Sequence, residues 1–226
     1  MYMPEHFRED DLSTLHALMG DYSFATLVTQ HDGVPFATHL PLILEANTGP
    51  YGTLFGHMAR ANPQWRDFEV AQDVLVIFQG PHTYVSPSWY EVELSVPTWN
   101  YAAVHAYGTP RLITDYEACH ALLDTLLRSH EAQFARPWLF QLPEDYVRKM
   151  MQGIVAFAIH ITRLEGKFKL SQNRSLTDQQ HVAATLQESP DAVSRDVGTL
   201  MQQRQATRKG RQFNGAPPPT QSRGRT

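Results

Sequence analysis

The chain has one cysteine, Cys119, among its 226 residues. A single thiol excludes an internal disulfide framework and any cluster of thiolate metal ligands. Long apolar runs are also missing. The stretch "IVAFAI", residues 154–159, falls far short of the roughly 20 residues a helix needs to cross a bilayer. The N-terminal "MYMPEHFRED" carries acids and lacks an apolar signal core, so the expectation is a cytoplasmic protein without a transmembrane helix. Neither GxSxG, nor GxxxxGK[ST], nor GxGxxG occurs, which removes the nucleophile elbow, the Walker-type phosphate loop and the dinucleotide fingerprint. Eleven histidines are present, yet none falls in HExxH or HxxxH, and no metal site is expected from spacing.

What is present is a chain with 42% hydrophobic residues and a net charge of −4. That is enough to bury one sizeable core. Charge is unevenly placed. The last 30 residues hold six bases and no acid, so the remainder carries −10. An acidic body argues against a broad nucleic-acid-binding face, while the basic tail remains free to touch phosphate.

Hydropathy patterning predicts a mainly β fold with peripheral helices. A first helix is expected in "REDDLSTLHALM", where Leu12, Leu15, Leu18 and Met19 fall at helical spacing. Two strands follow around "HDG", a hairpin signal. Further strands are expected in "YGTLFGHM", "DVLVIFQG", "HTYVS", "NYAAVHAYGTPRLIT" and "GIVAFAIHITRLEGKFKL". So many strands in a mid-sized chain point to a sheet closed on itself, which removes exposed edges.

Helices are expected at three further places. "TDYEACHALLDTLLRSHE" has Thr114 and Glu117 as a capping box, with Cys119, Leu122, Leu123, Leu126 and Leu127 on one face. Pro143 is expected to open a short helix as its first residue. After Asn173, "SLTDQQHVAATLQ" and "DAVSRDVGTLMQQR" read as a helical hairpin with Ala192, Val193, Val197, Leu200 and Met201 packed inward. Four acids against two bases over residues 177–204 oppose a DNA-reading helix-turn-helix. The organisation expected is a barrel over residues 1–174, the hairpin over 175–204, docked on the barrel or a partner subunit, and a disordered basic tail over 205–226.

Polar clusters recur where strands run out: "ATHLP", "GHMARANPQW", "GPHTYVSPSWY", "VPTWNYAAVHAYG" and "GKFKLSQNR". Any one of them alone is an ordinary strand end or barrel core. Strand ends and loops on a rigid scaffold are nevertheless where binding residues concentrate. Arg, Lys, Ser and Thr beside aromatic residues suit a phosphate and a planar ring. His39, His57, His82 and His105 lie in or beside strands, without zinc spacing.

Six blocks, "YMPEHF", "ATHLP", "GTLFGHMARANPQW", "VLVIFQGPHTYVSPSWY", "VPTWNYAAVHAYG" and "GIVAFAIHITRLEGKFKLSQNR", resemble in order the signature blocks of the PaiB-type family of FMN-binding proteins, labelled negative transcriptional regulators. The resemblance covers residues 2–204. It implies an FMN-binding split β-barrel, related to flavin reductases and pyridoxamine-phosphate oxidases, that forms a homodimer with FMN between subunits. It further implies that Arg60 contacts the FMN phosphate, aided by His57 and by Lys169 or Ser171. Thr38 and His39 would border the flavin, and Ser86, Trp89, Trp99, Asn100 and Tyr101 would approach the ring or the substrate. Loss of the Arg60 side chain is expected to weaken FMN binding by roughly 1.5–3 kcal/mol with the fold intact. Two roles follow from the resemblance, a flavin-dependent redox protein with a small-molecule partner and a flavin-linked repressor of transcription. Haem binding or degradation is the alternative, since a related split-barrel group does this.

Overall fold

The computed structural model describes residues 1–69, 73–91, 94–139 and 142–214, the last eight of these by their backbone alone. Two strands of two and eight residues, β1 (Arg8–Glu9) and β2 (Phe24–His31), flank helix α1 (Leu12–Asp21). The Asp11 side chain accepts the Thr14 backbone N–H and so starts α1, satisfying one of the donors that a helix N-terminus leaves open. Leu15, Leu18 and Met19 are its buried residues. Strand β3 (Val34–Pro41) pairs antiparallel with β2 from Phe24↔Pro41 to His31↔Val34. Between them Asp32 and Gly33 take φ of 51° and 77°, the left-handed pair that a two-residue hairpin turn demands.

The remaining strands are β4 (Ile43–Glu45), β5 (Thr53–Ala59), β6 (Val74–Val85), β7 (Thr98–Ile113) and β8 (Ile154–Lys169). The segments "DVLVIFQG" and "HTYVS" are therefore one continuous strand, β6, rather than two. Sheet order is β3-β2-β6-β7-β8-β5-β4, with β1 added against β8. Burial along β7 alternates over most of its length, as a strand with one face in a core must. Four helices complete the chain: α2 (Tyr116–Glu131), α3 (Glu144–Met151), α4 (Leu176–Gln187) and α5 (Ala192–Asn214). Among the described residues no helix is long and apolar enough to cross a membrane.

The chain divides into two compact units, Met1–Gly80 with Ala102–Phe168, and Pro81–Tyr101 with Lys169–Thr226. The first unit buries Leu27, Leu54, Val76, Phe78, Phe157 and Ile159 almost completely. Each such side chain contributes about 1.5–3 kcal/mol on leaving water. A satellite cluster of Cys119, Leu122, Leu126 and Ala156 lies in the same unit, with Phe55, Ile113 and Ile154 packed against it. Cys119 is buried as its place on the helical stripe predicts, and burial pushes its thiol up. The second unit buries Val85, Leu170, Val182, Leu186, Val197 and Met201.

Four local expectations need correction. The cap of α2 is Asp115, whose carboxylate accepts the Ala118 N–H, rather than Thr114, because the helix begins one residue later, at Tyr116. Pro143 stands just before α3 as its cap residue, not inside it. In α5 the inward face is Ser194, Val197, Gly198 and Met201, while Ala192 and Val193 are exposed. The reason is close helix contact: a Cβ on Gly198 would meet the Ala183 carbonyl oxygen at 3.0 Å, so α4 and α5 approach where the small residue sits. Finally, α5 continues to Asn214, so residues 205–214 are helical and not a disordered tail. Residues 215–226 of that expected tail lie outside the described residues.

Candidate functional site

The expected site residues fall in both units. Thr38, His39, His57 and Arg60 belong to the first, and Ser86, Trp89, Trp99, Asn100, Tyr101, Lys169 and Ser171 to the second.

In the first unit, β5 ends at Ala59 because Arg60 turns the chain and Pro63 opens a 3₁₀ segment, Pro63–Glu69. Asn62 organises this corner. Its Nδ2 donates to Thr38 Oγ1 at 2.8 Å on β3, and its Oδ1 accepts the Gln64 N–H at 3.0 Å. Gln64 is fully buried, and its Nε2 donates to the carbonyls of Leu27 and Phe36 and to Thr29 Oγ1. Thr29 donates onward to Asp67 Oδ2 at 2.6 Å, and Asp67 Oδ1 meets His31 Nδ1 at 2.7 Å. Thus a chain of polar contacts ties the β2–β3 hairpin to the segment after β5. His39 stands exposed on the same hairpin, its Nδ1 at 2.9 Å from Thr26 Oγ1.

His57 pairs in register with Ala156 of β8, so the two side chains share one face of the sheet. Its Nδ1 is buried and has no hydrogen-bond partner among the described residues. Burial lowers its pKa below the ordinary histidine value, because desolvation disfavours the imidazolium. A buried polar atom without a partner is uncommon enough to need a reason.

Arg60 has a structural task that the sequence did not disclose. Its Nε donates to the Gln152 carbonyl and its Nη2 to the Ile154 carbonyl, both at 2.7 Å, and its backbone N–H donates to Gly153 O at 2.8 Å. The side chain therefore fastens the end of β5 to the beginning of β8. A guanidinium has five donors, so Nη1 and the second Nη2 hydrogen are left over. Loss of the Arg60 side chain therefore also removes two charge-assisted bonds to carbonyls.

In the second unit, Asn100 is completely buried. Its Nδ2 donates to Ser171 Oγ at 2.9 Å and to Met201 Sδ at 3.5 Å. Ser171 adopts a φ of 64°, a left-handed conformation that a serine holds only when its neighbours dictate it. Lys169 Nζ donates to Thr98 Oγ1 and to the Trp99 carbonyl, so its ammonium is engaged by the start of β7. The Trp99 ring is half exposed, tilted against His82 with centroids 5.6 Å apart. Ser86 caps the 3₁₀ turn Pro87–Trp89 by accepting the Ser88 N–H, which fixes Trp89 at the end of that turn. Tyr101 follows on β7, half-buried.

The structure thus brings Thr38 together with Asn62, and Asn100 together with Ser171. Gln64 and Asp67 are organising residues that motif reading did not single out; the Asn-Pro-Gln run at residues 62–64, at a strand end, was the available signal. Among the described residues no group of three His, Cys, Asp or Glu side chains is placed to hold a metal ion.

Known proteins share this pattern. A family model described as "Putative FMN-binding domain" matches residues 1–163. The protease synthase and sporulation protein PAI 2 of Bacillus subtilis (strain 168) is 39% identical over 203 residues, covering 89% of this chain and 97% of that protein. Among solved structures, a flavocytochrome from Azotobacter vinelandii is similar with a TM-score of 0.54 at 16% identity, over 74% of this chain and 72% of its own. The FAD and haem binding protein from Mycobacterium smegmatis is similar with a TM-score of 0.53 at 19% identity, over 78% and 79% of the two chains. At such identities the likeness is one of fold, the flavin-binding split barrel.

Proposed function

The chain belongs to the PaiB-type FMN-binding domain family, and with FMN as its cofactor we propose that it is a flavin-dependent redox protein whose phosphate site is built around the end of β5. The observation that carries this reading is His57 Nδ1, buried and unpartnered among the described residues three positions before an arginine with donors to spare. In this reading a cofactor phosphate takes the spare Nη1 donors of Arg60 and the ring of His57, and the Thr38 and Asn62 side chains, tied to one another at 2.8 Å, hold β3 to the turn after β5. Charge-assisted bonds of this kind are the strong ones.

Bound FMN supplies electron transfer to or from a second small molecule, and the protein supplies binding, orientation and electrostatics. In this reading Trp99, Tyr101, Trp89 and Ser86 serve the ring or the substrate. Asn100, Lys169 and Ser171 act by holding β7 and the end of β8 in place. The half-exposed rings of Trp99 and Tyr84 support a homodimer with FMN between subunits, since large aromatic rings are common in such interfaces. The cytoplasm is the compartment this reading assigns.

Repression of transcription has less support. Arg195, the base nearest the start of α5, donates to the carbonyls of Ser189 and Pro190 in its own turn, which leaves it poorly disposed to read a groove. DNA contact falls to the basic residues near the C-terminus.

The absorbance spectrum of the purified protein tests the proposal. A flavin band, retained through desalting after FMN is added, is expected, with light scattering giving the mass of two chains. Protein that stays colourless after FMN loading would sink the reading, and a Soret band on haem addition without flavin binding would replace it by the haem alternative.

A further inference from the structure

The first unit carries a cleft of about 370 Å³, within the range of small-molecule sites. Its floor is apolar, formed by Ile113, Cys119, Met151 and Ile154, and Trp65 and Tyr116 bring aromatic rings to its walls. Two guanidinium groups, Arg60 and Arg148, line it against one carboxylate, Asp115. That carboxylate is already engaged by the Ala118 N–H. Arg148 lies over the Tyr116 ring at 3.9 Å and pairs through Nε and Nη2 with Glu144, an exposed pair of little strength. Arg60 has no carboxylate partner among the described residues, and its charge is felt by the Cys119 thiol at the cleft floor.

An apolar floor, aromatic walls and a surplus of guanidinium define one ligand chemistry. We propose that this cleft binds a small aromatic carboxylate, its ring against the Cys119 floor and its carboxylate on Arg148 and on the Nη2 hydrogen of Arg60 that neither the two carbonyls nor the phosphate reading uses. Guanidinium meets carboxylate in charge-assisted bonds, and the flat body gains from burial and from the rings of Trp65 and Tyr116. The inference goes beyond the flavin reading, because it concerns a second ligand that binds whether or not FMN is present.

Calorimetric titration of the full chain with 2-naphthoate, before and after FMN loading, tests it. Saturable binding is expected in both states. Arg60→Gln should weaken it about tenfold, the worth of a charge-assisted bond, and Arg148→Gln about threefold, the latter without change in FMN affinity. A third variant, Met151→Trp, fills the floor and should abolish naphthoate binding while circular dichroism remains that of the parent. Failure of naphthoate to bind overturns the proposal. So does its displacement by FMN, which would make the cleft part of the cofactor site, and so does binding of inorganic phosphate with no preference for the aromatic acid. The flavin spectrum is read independently, so loss of one reading leaves the other standing.

Discussion

The two compact units hold their buried polar groups in different ways. In the first, the links run from side chain to backbone and to charge: Gln64 to the Leu27 and Phe36 carbonyls, Arg60 to the Gln152 and Ile154 carbonyls, Asp67 to Thr29 and His31. In the second, neutral side chains meet one another out of water, Asn100 with Ser171 and Thr83 with Ser194 at 2.8 Å, beside one buried carboxylate, Asp178, which accepts the Glu91 N–H. Charged links at the rim can be screened and titrated. Neutral pairs in a dry interior can do neither, and each punishes the loss of a partner with the desolvation cost of the group left behind. The first unit should therefore respond to pH and to ligands, and the second to truncation.

The largest effect expected lies in the backbone of the first unit. A Cβ on Gly108 would fall on the His160 carbonyl oxygen and within 2.8 Å of Ile159 Cγ2, and the backbone cannot step aside. Gly108→Ala should cost about 3 kcal/mol, read as a shift in the urea midpoint. Next comes Asn100→Ala in the second unit, expected to cost about 2 kcal/mol at any pH between 6 and 8 on the order of neutrality. A pH-dependent loss there would break the contrast between the units. Arg60→Gln should cost about 1 kcal/mol of stability and weaken FMN binding as well, whereas Arg60→Lys should recover charge but not the two carbonyl bonds. If the two variants behave alike in both assays, the fastening of β5 to β8 has been misjudged.

The smallest effect is the pH dependence of the His31–Asp67 contact. The hydrogen bond that His31 donates to Asp67 raises the His31 pKa above its ordinary value, against a lesser opposing effect of burial. A folded pKa above the unfolded one means stability present in full below the unfolded value and lost as pH rises through the folded value. The first unit should accordingly be more stable at mildly acidic than at mildly alkaline pH, and His31→Gln should flatten that slope. An unchanged slope in thermal melts of the variant would show that another group titrates.

Much of the fold was legible in the sequence because it is encoded locally. The Asp-Gly pair set the β2–β3 turn, the heptad-like spacing of Leu15, Leu18 and Met19 set the buried side of α1, and six ordered blocks pointed to the family. Boundaries were less legible: the inward face of α5 turned on a neighbour that periodicity does not contain, the close approach of α4 at Gly198. The candidate site was legible as a set of strand ends but not as a set of partners.

Element type, the hairpin, the buried thiol and family membership were thus determined by the sequence alone, since each depends on residues a few positions apart or on the order of blocks along the chain. What Arg60 does was decided only in three dimensions. Its partners, Gln152 and Ile154, lie more than 90 positions away and are backbone carbonyls, which every residue type possesses and no sequence pattern marks. The same holds for the orphaned His57 nitrogen and for the cleft beside Arg60, because burial is a property of what the β5–β8 pairing brings near and not of the residues that become buried.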